Sequence, residues 1–373
     1  MKMIPLKKIY LLLGVLFSLS LQAQSLPAQS LPTPPPPEVI LPMMLRWNAP
    51  ADTLTLFVVG DIMSHGKVRQ SAEQHGYTDF FKHIATQIEG ADLAIGNMEF
   101  PLAGEPYSGY PSFSGPSSFP AYLSEAGFDV LLTANNHMLD KGSEGLARTI
   151  RRLEAMDIPY TGIAASAEAD TLVNPLMVLV KGVRIALVNF TYGTELAAST
   201  PWPKVNYMNK ERLGPILARA RRKADLVLVF PHWGEEYQHF HNARQEEFAR
   251  WLVAQGADAI IGGHPHVVQD VQQIGDVPVV YSLGNALSNQ NDLPARLEAA
   301  LTLRYVHRFG EPIRRLPLHF DDLWCTKPGM VETAYSAVPV TTPPSAWKDS
   351  TDYRNMTKTL RSLRAKGIII MDN

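Results

Sequence analysis

The sequence is poor in cysteine: Cys325 is the single cysteine among 373 residues. A single cysteine excludes an intramolecular disulfide, a cysteine-rich zinc module and an iron–sulfur cluster. Any metal bound by this chain must therefore be held by histidine, aspartate, glutamate or asparagine side chains.

The chain also lacks a strong excess of charge of either sign. Its 34 basic and 36 acidic residues give a net charge of −2, which falls to −5 without residues 1–23, because these contain three lysines and no acid. Such a mildly acidic chain gives no electrostatic signal for nucleic-acid binding, so no nucleic-acid partner is expected. With 46% hydrophobic and 19% charged residues, the composition excludes a mainly disordered chain or a coiled coil.

Long apolar runs are missing too. The run Ile9–Leu21 has 13 residues, follows three lysines and precedes small and polar residues. It falls short of the roughly 20 residues of a spanning helix and has the layout of a secretory signal. We expect residues 1–23 to be a signal peptide, cut near Ala23, and the mature protein to be exported to the periplasm or the extracellular space. An uncleaved membrane anchor is the alternative.

Composition divides the rest of the chain into three parts. Residues 24–50 are rich in proline, glutamine and serine and are predicted to be an extended linker. Residues 51–325 are predicted to form the globular domain, and residues 326–373 a C-terminal extension. In that extension Asp352–Lys366 has helical spacing, with five basic residues against one acid, and Gly367 is placed as a C-terminal stop.

Within the globular domain, short apolar runs alternate with helical patterns. Runs of this kind are typical of strands buried on both faces, and their alternation with helices predicts a layered α/β fold. The pair Leu176–Val180 and Val183–Val188 is predicted to be a hairpin, so the sheets are expected to be mixed. The other runs are Leu54–Val59, Leu93–Ile95, Val130–Leu132, Leu226–Phe230, Ala259–Ile261 and Val279–Val280.

Polar side chains gather where these runs end. Of the 11 histidines, five follow predicted strands, as do two carboxylates: His65, His137, His232, His264, His266, Asp61 and Glu99. In layered α/β folds the carboxyl ends of strands form the site, and nitrogen and oxygen donors suit Zn, Mn or Fe. This number of donors exceeds what one tetrahedral ion needs, which favours a site with two metal ions.

Each of these residues also has a purely structural interpretation. Asp61 suits a helix cap, and Asn135 and Asn136 suit a turn. A lone His232 is more often a buried core histidine than a ligand. The pair in His264-Pro265-His266 is harder to explain structurally: alternate residues of an extended segment point to one side, and the proline favours an extended His264.

Six motifs together resemble the CapA capsule-synthesis (poly-γ-glutamate biosynthesis) family, which is similar to the calcineurin-like metallophosphoesterases. The resemblance covers roughly residues 53 to 290, with the motifs in the family's order. They are Gly60-Asp61-Ile62-Met63, Asn97-Met98-Glu99, Ala134-Asn135-Asn136-His137, His232-Trp233-Gly234-Glu235-Glu236-Tyr237, Gly263-His264-Pro265-His266 and Tyr281-Ser282-Leu283-Gly284-Asn285.

The resemblance implies a four-layer αββα sandwich with mixed sheets and a centre of two divalent ions. It assigns metal ligands at Asp61, Asn136, His232, His264 and His266. It also assigns to His137 a role beside Asn136, in assisting the leaving group or the transition state.

Two positions depart from the metallophosphoesterase pattern. Met63 stands where the first histidine is usual, with His65 as the candidate in its place, and Glu99 replaces a bridging aspartate. The remaining polar residues at the strand ends are predicted to orient ligands or contact the substrate: Asn97, Asn135, Glu236, Tyr237 and Asn285.

Together these observations predict an exported metal-dependent hydrolase acting on a phosphoester or a γ-glutamyl amide. The expected partners are an anionic extracellular polymer and a membrane-bound polymer synthase. A non-catalytic, metal-dependent polymer-binding or assembly module is the main alternative. A metal-free structural α/β protein is the third, and it requires the donors at the strand ends to be coincidental.

Overall fold

The apolar run Leu54–Val59 forms part of a strand that is buried on both faces in the computed structural model of the chain. Leu56 and Val58 belong to a core between two sheets, whereas Phe57 and Val59 belong to a core beneath a layer of helices. Successive side chains of a strand point to opposite faces, so a continuous apolar run is what burial on both faces requires.

The structure describes residues 10–11, 52–308 and 310–368. The predicted signal peptide, 1–23, lies outside the described residues except for positions 10–11, and the predicted linker, 24–50, lies outside them entirely. The strands β1 to β18 are, in chain order, Tyr10–Leu11, Asp52–Ile62, Leu93–Met98, Val130–Leu132, Tyr160–Thr161, Ile163–Ala164, Leu176–Val180, Val183–Thr191, Lys204–Val205, Leu226–His232, Ala259–Ile261, Val271–Ile274, Val277–Val280, Asn285–Leu287, Leu297–His307, Arg314–Arg315, His319–Thr326 and Ser336–Pro339.

A nine-stranded sheet combines strands from the N-terminal part of the described chain with strands from its C-terminal part. Its order is β18-β17-β15-β2-β3-β4-β5, with β14 beside β2 and β16 beside β15. Strands β2 to β5 are parallel, and β15, β17 and β18 run antiparallel to their neighbours. The predicted division at residue 325 falls within β17, and the pairing of β17 with β18 places residues 336–339 in the same sheet.

A seven-stranded sheet faces it, in the order β1-β7-β8-β10-β11-β13-β12. Strands β8, β10, β11 and β13 are parallel, and β7 and β12 are antiparallel to the strands beside them. The predicted hairpin is confirmed, since β7 pairs with β8 from Leu176 opposite Leu187 to Val180 opposite Val183. Strands β6 and β9 form a separate two-stranded ribbon.

Helices cover the outer faces of both sheets, which confirms the predicted four-layer αββα arrangement. The helices α1 to α8 are Gly66–His75, Ala85–Gly90, Ser118–Glu125, Gly142–Ala155, Ala167–Val173, Lys210–Lys223, Ala243–Ala254 and Ser350–Ala365. Val68 of α1 and Leu146 of α4 pack beneath the nine-stranded sheet. Leu217 of α6 and Leu252 of α7 pack on the seven-stranded sheet.

The basic C-terminal helix α8 packs against the nine-stranded sheet. Met356, Leu360 and Leu363 lie in one core with Trp324 of β17. A buried ion pair fixes the helix further, since Arg296 donates to Asp352 at 2.6 and 2.8 Å. Gly367 has a φ of 71°, the left-handed conformation of a helix stop. The basic residues of α8 therefore face solvent while its apolar stripe completes a core.

No helix within the described residues is both long enough and apolar enough to cross a membrane.

Candidate metal centre

The parallel strands of both sheets bring their carboxyl ends to one edge of the molecule. Asp61 lies near the end of β2, and Glu99 directly follows β3. Asn136 follows β4, and His232 ends β10 of the other sheet. All four are buried, with at most 2% of each residue exposed. The two sheets therefore contribute to a single buried polar cluster, as the strand-end pattern predicts.

Two hydrogen bonds hold the carboxylate of Asp61. Its Oδ1 atom accepts from Asn97 Nδ2 at 2.7 Å, and its Oδ2 atom accepts from the backbone N–H of His264 at 3.1 Å. Gly263 permits this approach, because a Cβ atom there would lie 2.8 Å from Asp61 Oδ1. Burial alone would raise the pKa of Asp61, but hydrogen bonding from His266 and the charges of His232 and His266 lower it below its usual range.

Glu99 is buried without a hydrogen bond. Among the described residues neither of its carboxylate oxygens has a hydrogen-bond partner. His232 Nε2 lies 3.5 Å and His266 Nε2 3.8 Å from Glu99 Oε1. A buried carboxylate without partners is costly unless a cation compensates it. The chemistry of this donor set, two carboxylates and imidazoles, therefore fits a divalent metal ion.

The electrostatics around His266 lead to the same conclusion. Burial alone lowers the pKa of His266, but the carboxylates of Glu99 and Asp61 raise it to about 9. The cluster thus favours a positive charge at this point, which a metal ion would supply. Asn285 orients the ring, with its Oδ1 atom 2.9 Å from His266 Nδ1.

A chain of contacts connects His232 to the nine-stranded sheet. Its Nε2 atom lies 2.9 Å from Asn136 Oδ1, and Asn136 Nδ2 donates to Glu195 Oε1 at 3.0 Å. The backbone N–H of Glu195 also donates to the Asn136 carbonyl oxygen at 2.9 Å. Asn136 is therefore fixed from two sides, with its amide oxygen directed at His232.

The two histidines around Pro265 reach the cluster in a different way from the one predicted. The segment is not extended: His264 has a φ of 96° and His266 a φ of 58°, both left-handed, and His264 precedes the proline in that conformation. The expectation of an extended segment was wrong, because a sharp bend, with no strand alternation, brings the rings together. Their centroids lie 6.0 Å apart. Left-handed backbone at a non-glycine residue is strained and concentrates at functional sites.

His264 offers a neutral, unpartnered nitrogen. Burial, together with the charges of His232 and His266, lowers its pKa well below the usual value. Its Nδ1 atom is buried and has no hydrogen-bond partner within the described part of the chain. Neutral imidazole is the form that binds a metal.

Among residues 52–308 and 310–368, two groups of three donors meet the distance requirement for a metal ion. One is Asp61, Glu99 and His266, and the other is Glu236, His264 and His266; within each group the ligand atoms lie within 4.8 Å of one another. Glu236, predicted to orient ligands or to contact the substrate, thus falls among the candidate ligands. His266 belongs to both groups, so the groups adjoin.

His137 lies beside the cluster in a strong hydrogen bond. Its Nδ1 atom is 2.9 Å from Asp140 Oδ2, and its ring meets Phe113 edge-on at 4.6 Å. Burial alone lowers the pKa of His137, but the Asp140 hydrogen bond and the charges of Glu99 and Asp140 raise it. Asp140 thereby fixes the ring and favours its protonated form.

The remaining predicted residues lie around this centre. His65 accepts a hydrogen bond from the backbone N–H of Asn289 at 3.2 Å and is in neither donor group. Burial, followed by the charges of His266 and His137, lowers the pKa of His65 to about 3. Asn135 donates to the Met98 carbonyl oxygen at 2.9 Å. Tyr237 is 42% exposed, with its ring 6.2 Å from that of His266.

Sequence reasoning missed three carboxylates that support the site. Asp140 follows His137 by three residues, a spacing that is a usable signal. Glu298 interrupts an apolar strand, which is also a signal; it is fully buried and accepts from the backbone N–H of Gly60 at 2.5 Å. Burial raises the pKa of Glu298 to about 8. Glu195 lies outside the helices and strands and gives no sequence signal.

A cleft of about 540 Å³ opens beside the cluster. Its lining includes His65, Tyr110, Tyr237 and Asn289. Because His65 and Tyr237 also adjoin the histidines of the centre, a ligand in this cleft would lie next to the candidate metal site.

Comparison with known proteins identifies relatives of this chain. The sequence model of the family described as "Bacterial capsule synthesis protein PGA_cap" matches residues 55–290. The capsule biosynthesis protein CapA of Bacillus anthracis is 34% identical over 265 residues, covering 68% of this chain and 63% of that protein. The PGA biosynthesis protein CapA of Bacillus subtilis is 31% identical over 267 residues, covering 69% of each chain.

The chain therefore spans less than two thirds of the length of its Bacillus anthracis relative. Among solved structures, the NAD nucleotidase of Haemophilus influenzae superposes with a TM-score of 0.44 at 13% identity, covering 87% of this chain and 64% of that one.

Proposed function

Since the chain belongs to the family of bacterial capsule synthesis proteins, PGA_cap, we propose that it is an exported, divalent-metal-dependent hydrolase of capsule or poly-γ-glutamate metabolism. The bond that it cleaves is a phosphoester or a γ-glutamyl amide. Its partners are an anionic extracellular polymer and a membrane-bound polymer synthase. Export is inferred from the N-terminal pattern of three lysines followed by a short apolar run.

The main observation behind this proposal is that the buried carboxylate of Glu99 makes no hydrogen bond among the described residues. A buried carboxylate with two unpartnered oxygens, surrounded by imidazoles and by Asp61, is explained by a cation that neutralises it. Without a cation, the cluster would combine a desolvated carboxylate with an unpartnered His264 nitrogen, and both are destabilising.

We assign Asp61, Glu99 and His266 to one divalent ion. Asn285 occupies Nδ1 of His266, so one ring nitrogen of that residue remains for a metal. A second ion would then be bound by Asn136, His232 and His264, with Glu236 and His65 as further candidate ligands. Mn, Fe and Zn all accept this mixture of nitrogen and oxygen donors.

A divalent ion at this centre supplies Lewis-acid polarisation of a substrate oxygen and lowers the pKa of water. The side chains around it perform the remaining steps. His137, held through Nδ1 by Asp140, has Nε2 left to donate a proton to the leaving group. Asn136, fixed by Glu195, orients His232, and the aromatic and amide side chains of the cleft bind the substrate.

The test uses the full chain purified without chelators. Its metal content is measured, together with turnover of an aryl phosphate and of a γ-glutamyl anilide in added Mn. Glu99→Ala and His264→Ala are made separately, with the exposed neighbour Glu235→Ala as the control. We expect both site variants to lose metal and turnover and the control to keep them. Wild-type metal content and activity in both site variants would overturn the proposal.

One observation favours a second candidate, a non-catalytic module that binds an anionic polymer through its metal. Met63, which is 1% exposed, stands where a metallophosphoesterase has a ligand histidine. A centre with fewer ligands can bind an anion without hydrolysing it. Absence of turnover on both substrates, combined with metal-dependent binding of polyglutamate, would establish this module in place of the hydrolase.

A further inference from the structure

A second pocket shares Asn289 with the cleft beside the metal centre. It has a volume of about 270 Å³, and its lining includes Lys67, Ser71, Asn289, Lys327 and Tyr335. We call this space the Lys67–Lys327 pocket; the two spaces adjoin, so one extended molecule can occupy both.

The pocket is positively charged. Lys67 lies in the first turn of helix α1 and is exposed, whereas Lys327 is half-buried. Within residues 52–308 and 310–368, neither ammonium forms an ion pair with a carboxylate, and no acidic side chain lines the pocket. Burial, followed by the charges of Arg296 and Lys67, lowers the pKa of Lys327, so the two lysines repel each other.

Uncharged donors complete the lining. Ser71 is 4% exposed, and its hydroxyl has no hydrogen-bond partner among the described residues. Tyr335 donates to Asn289 Oδ1 at 2.5 Å, and the backbone N–H of Asn289 donates to His65 at 3.2 Å. These contacts hold Asn289 in place and leave its Nδ2 group available as a donor.

We propose that the Lys67–Lys327 pocket binds an oxyanion of the substrate, a carboxylate or a phosphate. This oxyanion lies one or more monomer units along the substrate polymer from the group at the metal centre. This subsite rests on the proposed function, because it selects a polyanionic substrate for that same site. Two ammoniums and several neutral donors suit an anion, and a bound anion relieves the repulsion between the lysines.

The experiment compares ligands that carry an anionic group for the Lys67–Lys327 pocket with a ligand that lacks one. The probes are a γ-linked glutamate tetramer, the same tetramer with its side carboxylates converted to amides, and inorganic phosphate. Their dissociation constants are measured on the full chain, wild type and Lys67→Gln/Lys327→Gln. The control is Lys348→Gln/Lys358→Gln, which removes the same charge from two exposed lysines without ion pairs in the described structure.

We expect the double variant to bind the glutamate tetramer about tenfold more weakly, with unchanged binding of the amide tetramer and unchanged metal content. The control binds all probes like the wild type. If only phosphate binding depends on the two lysines, the oxyanion is a phosphate group and the subsite stands. Equal binding of the glutamate tetramer and of phosphate by wild type and double variant overturns the subsite.

The same measurements separate this subsite from the proposed function. If the wild type holds metal and turns over substrate, but binding does not depend on the two lysines, the subsite is refuted and the hydrolase is not. If the wild type holds no metal and shows no turnover, but tetramer binding depends on the two lysines, the hydrolase is refuted and the subsite is supported.

Discussion

His232 Nε2 lies 2.9 Å from Asn136 Oδ1, although the two residues are 96 positions apart and are positioned by strands of different sheets. His232 ends β10 of the seven-stranded sheet, and Asn136 follows β4 of the nine-stranded sheet. This contact spans the seam between the sheets, so the relative position of the sheets determines the geometry of the candidate centre.

Glu99→Gln is expected to weaken metal binding by at least about 100-fold, since it removes a candidate ligand rather than a supporting group. In the metal-free protein the same change should lower the pKa of His266, because the charge of Glu99 helps to raise it. Metal titration, and NMR titration of the histidine rings in chelator, measure the two effects. Glu235→Gln, at an exposed neighbouring position, should change neither; wild-type metal affinity in Glu99→Gln would contradict the assignment.

Asp140→Asn tests how His137 is held. The change weakens the hydrogen bond that fixes the ring and favours its protonated form, so we expect kcat to fall roughly 10²-fold. KM and metal content should stay near the wild-type values, because Asp140 is not among the candidate ligands. Asp157→Asn, on the exposed surface, is the control. A loss of metal in place of a loss of kcat would show that Asp140 acts on the centre and not on His137.

Glu298 makes stability depend on pH. Its pKa of about 8 in the folded protein lies above the ordinary 4.5, so between these values the folded state holds a proton that the unfolded state releases. The free energy of unfolding should therefore fall as pH rises, by up to about 1.4 kcal/mol per pH unit, and level off above pH 8.

Glu298→Gln keeps an acceptor for the Gly60 N–H and cannot ionise. The difference in unfolding free energy between the wild type and this variant, measured in denaturant from pH 5 to pH 9, isolates the effect. Parallel pH profiles for the two proteins would show that Glu298 is already ionised in the folded state.

The backbone at His264 provides a separate test of the bent segment. His264→Gly and His264→Ala both remove the imidazole, but glycine adopts a φ of 96° without a steric penalty. The glycine variant should be more stable than the alanine variant by about 1 kcal/mol. Denaturant midpoints measure this difference, and an alanine variant of equal stability would show that the bend relaxes when the ring is removed.

The strand pattern predicted much of the fold, because a strand that is buried on both faces needs a continuous run of apolar residues. Leu54–Val59 and Leu226–Phe230 are continuous apolar runs, and both are central strands. Polar residues such as Asp61 and His232 were found for the same reason: they interrupt apolar runs at the edge where parallel strands end.

What sequence reasoning could not predict depends on long-range geometry. The left-handed conformations of His264 and His266 accompany hydrogen bonds with Asp61 and Asn285, residues that are distant in sequence from one or both histidines. Glu195 lies in a loop remote in sequence from Asn136, so its role emerges only when the fold brings the two together.

The seam spanned by His232 and Asn136 also has a kinetic consequence. The nine-stranded sheet pairs Leu54 of β2 with Tyr305 of β15, so it closes only when distant parts of the chain have met. The candidate donors come together only after that, when the two layers have docked. A metal ion at this centre would therefore bind late in refolding and would not nucleate the fold.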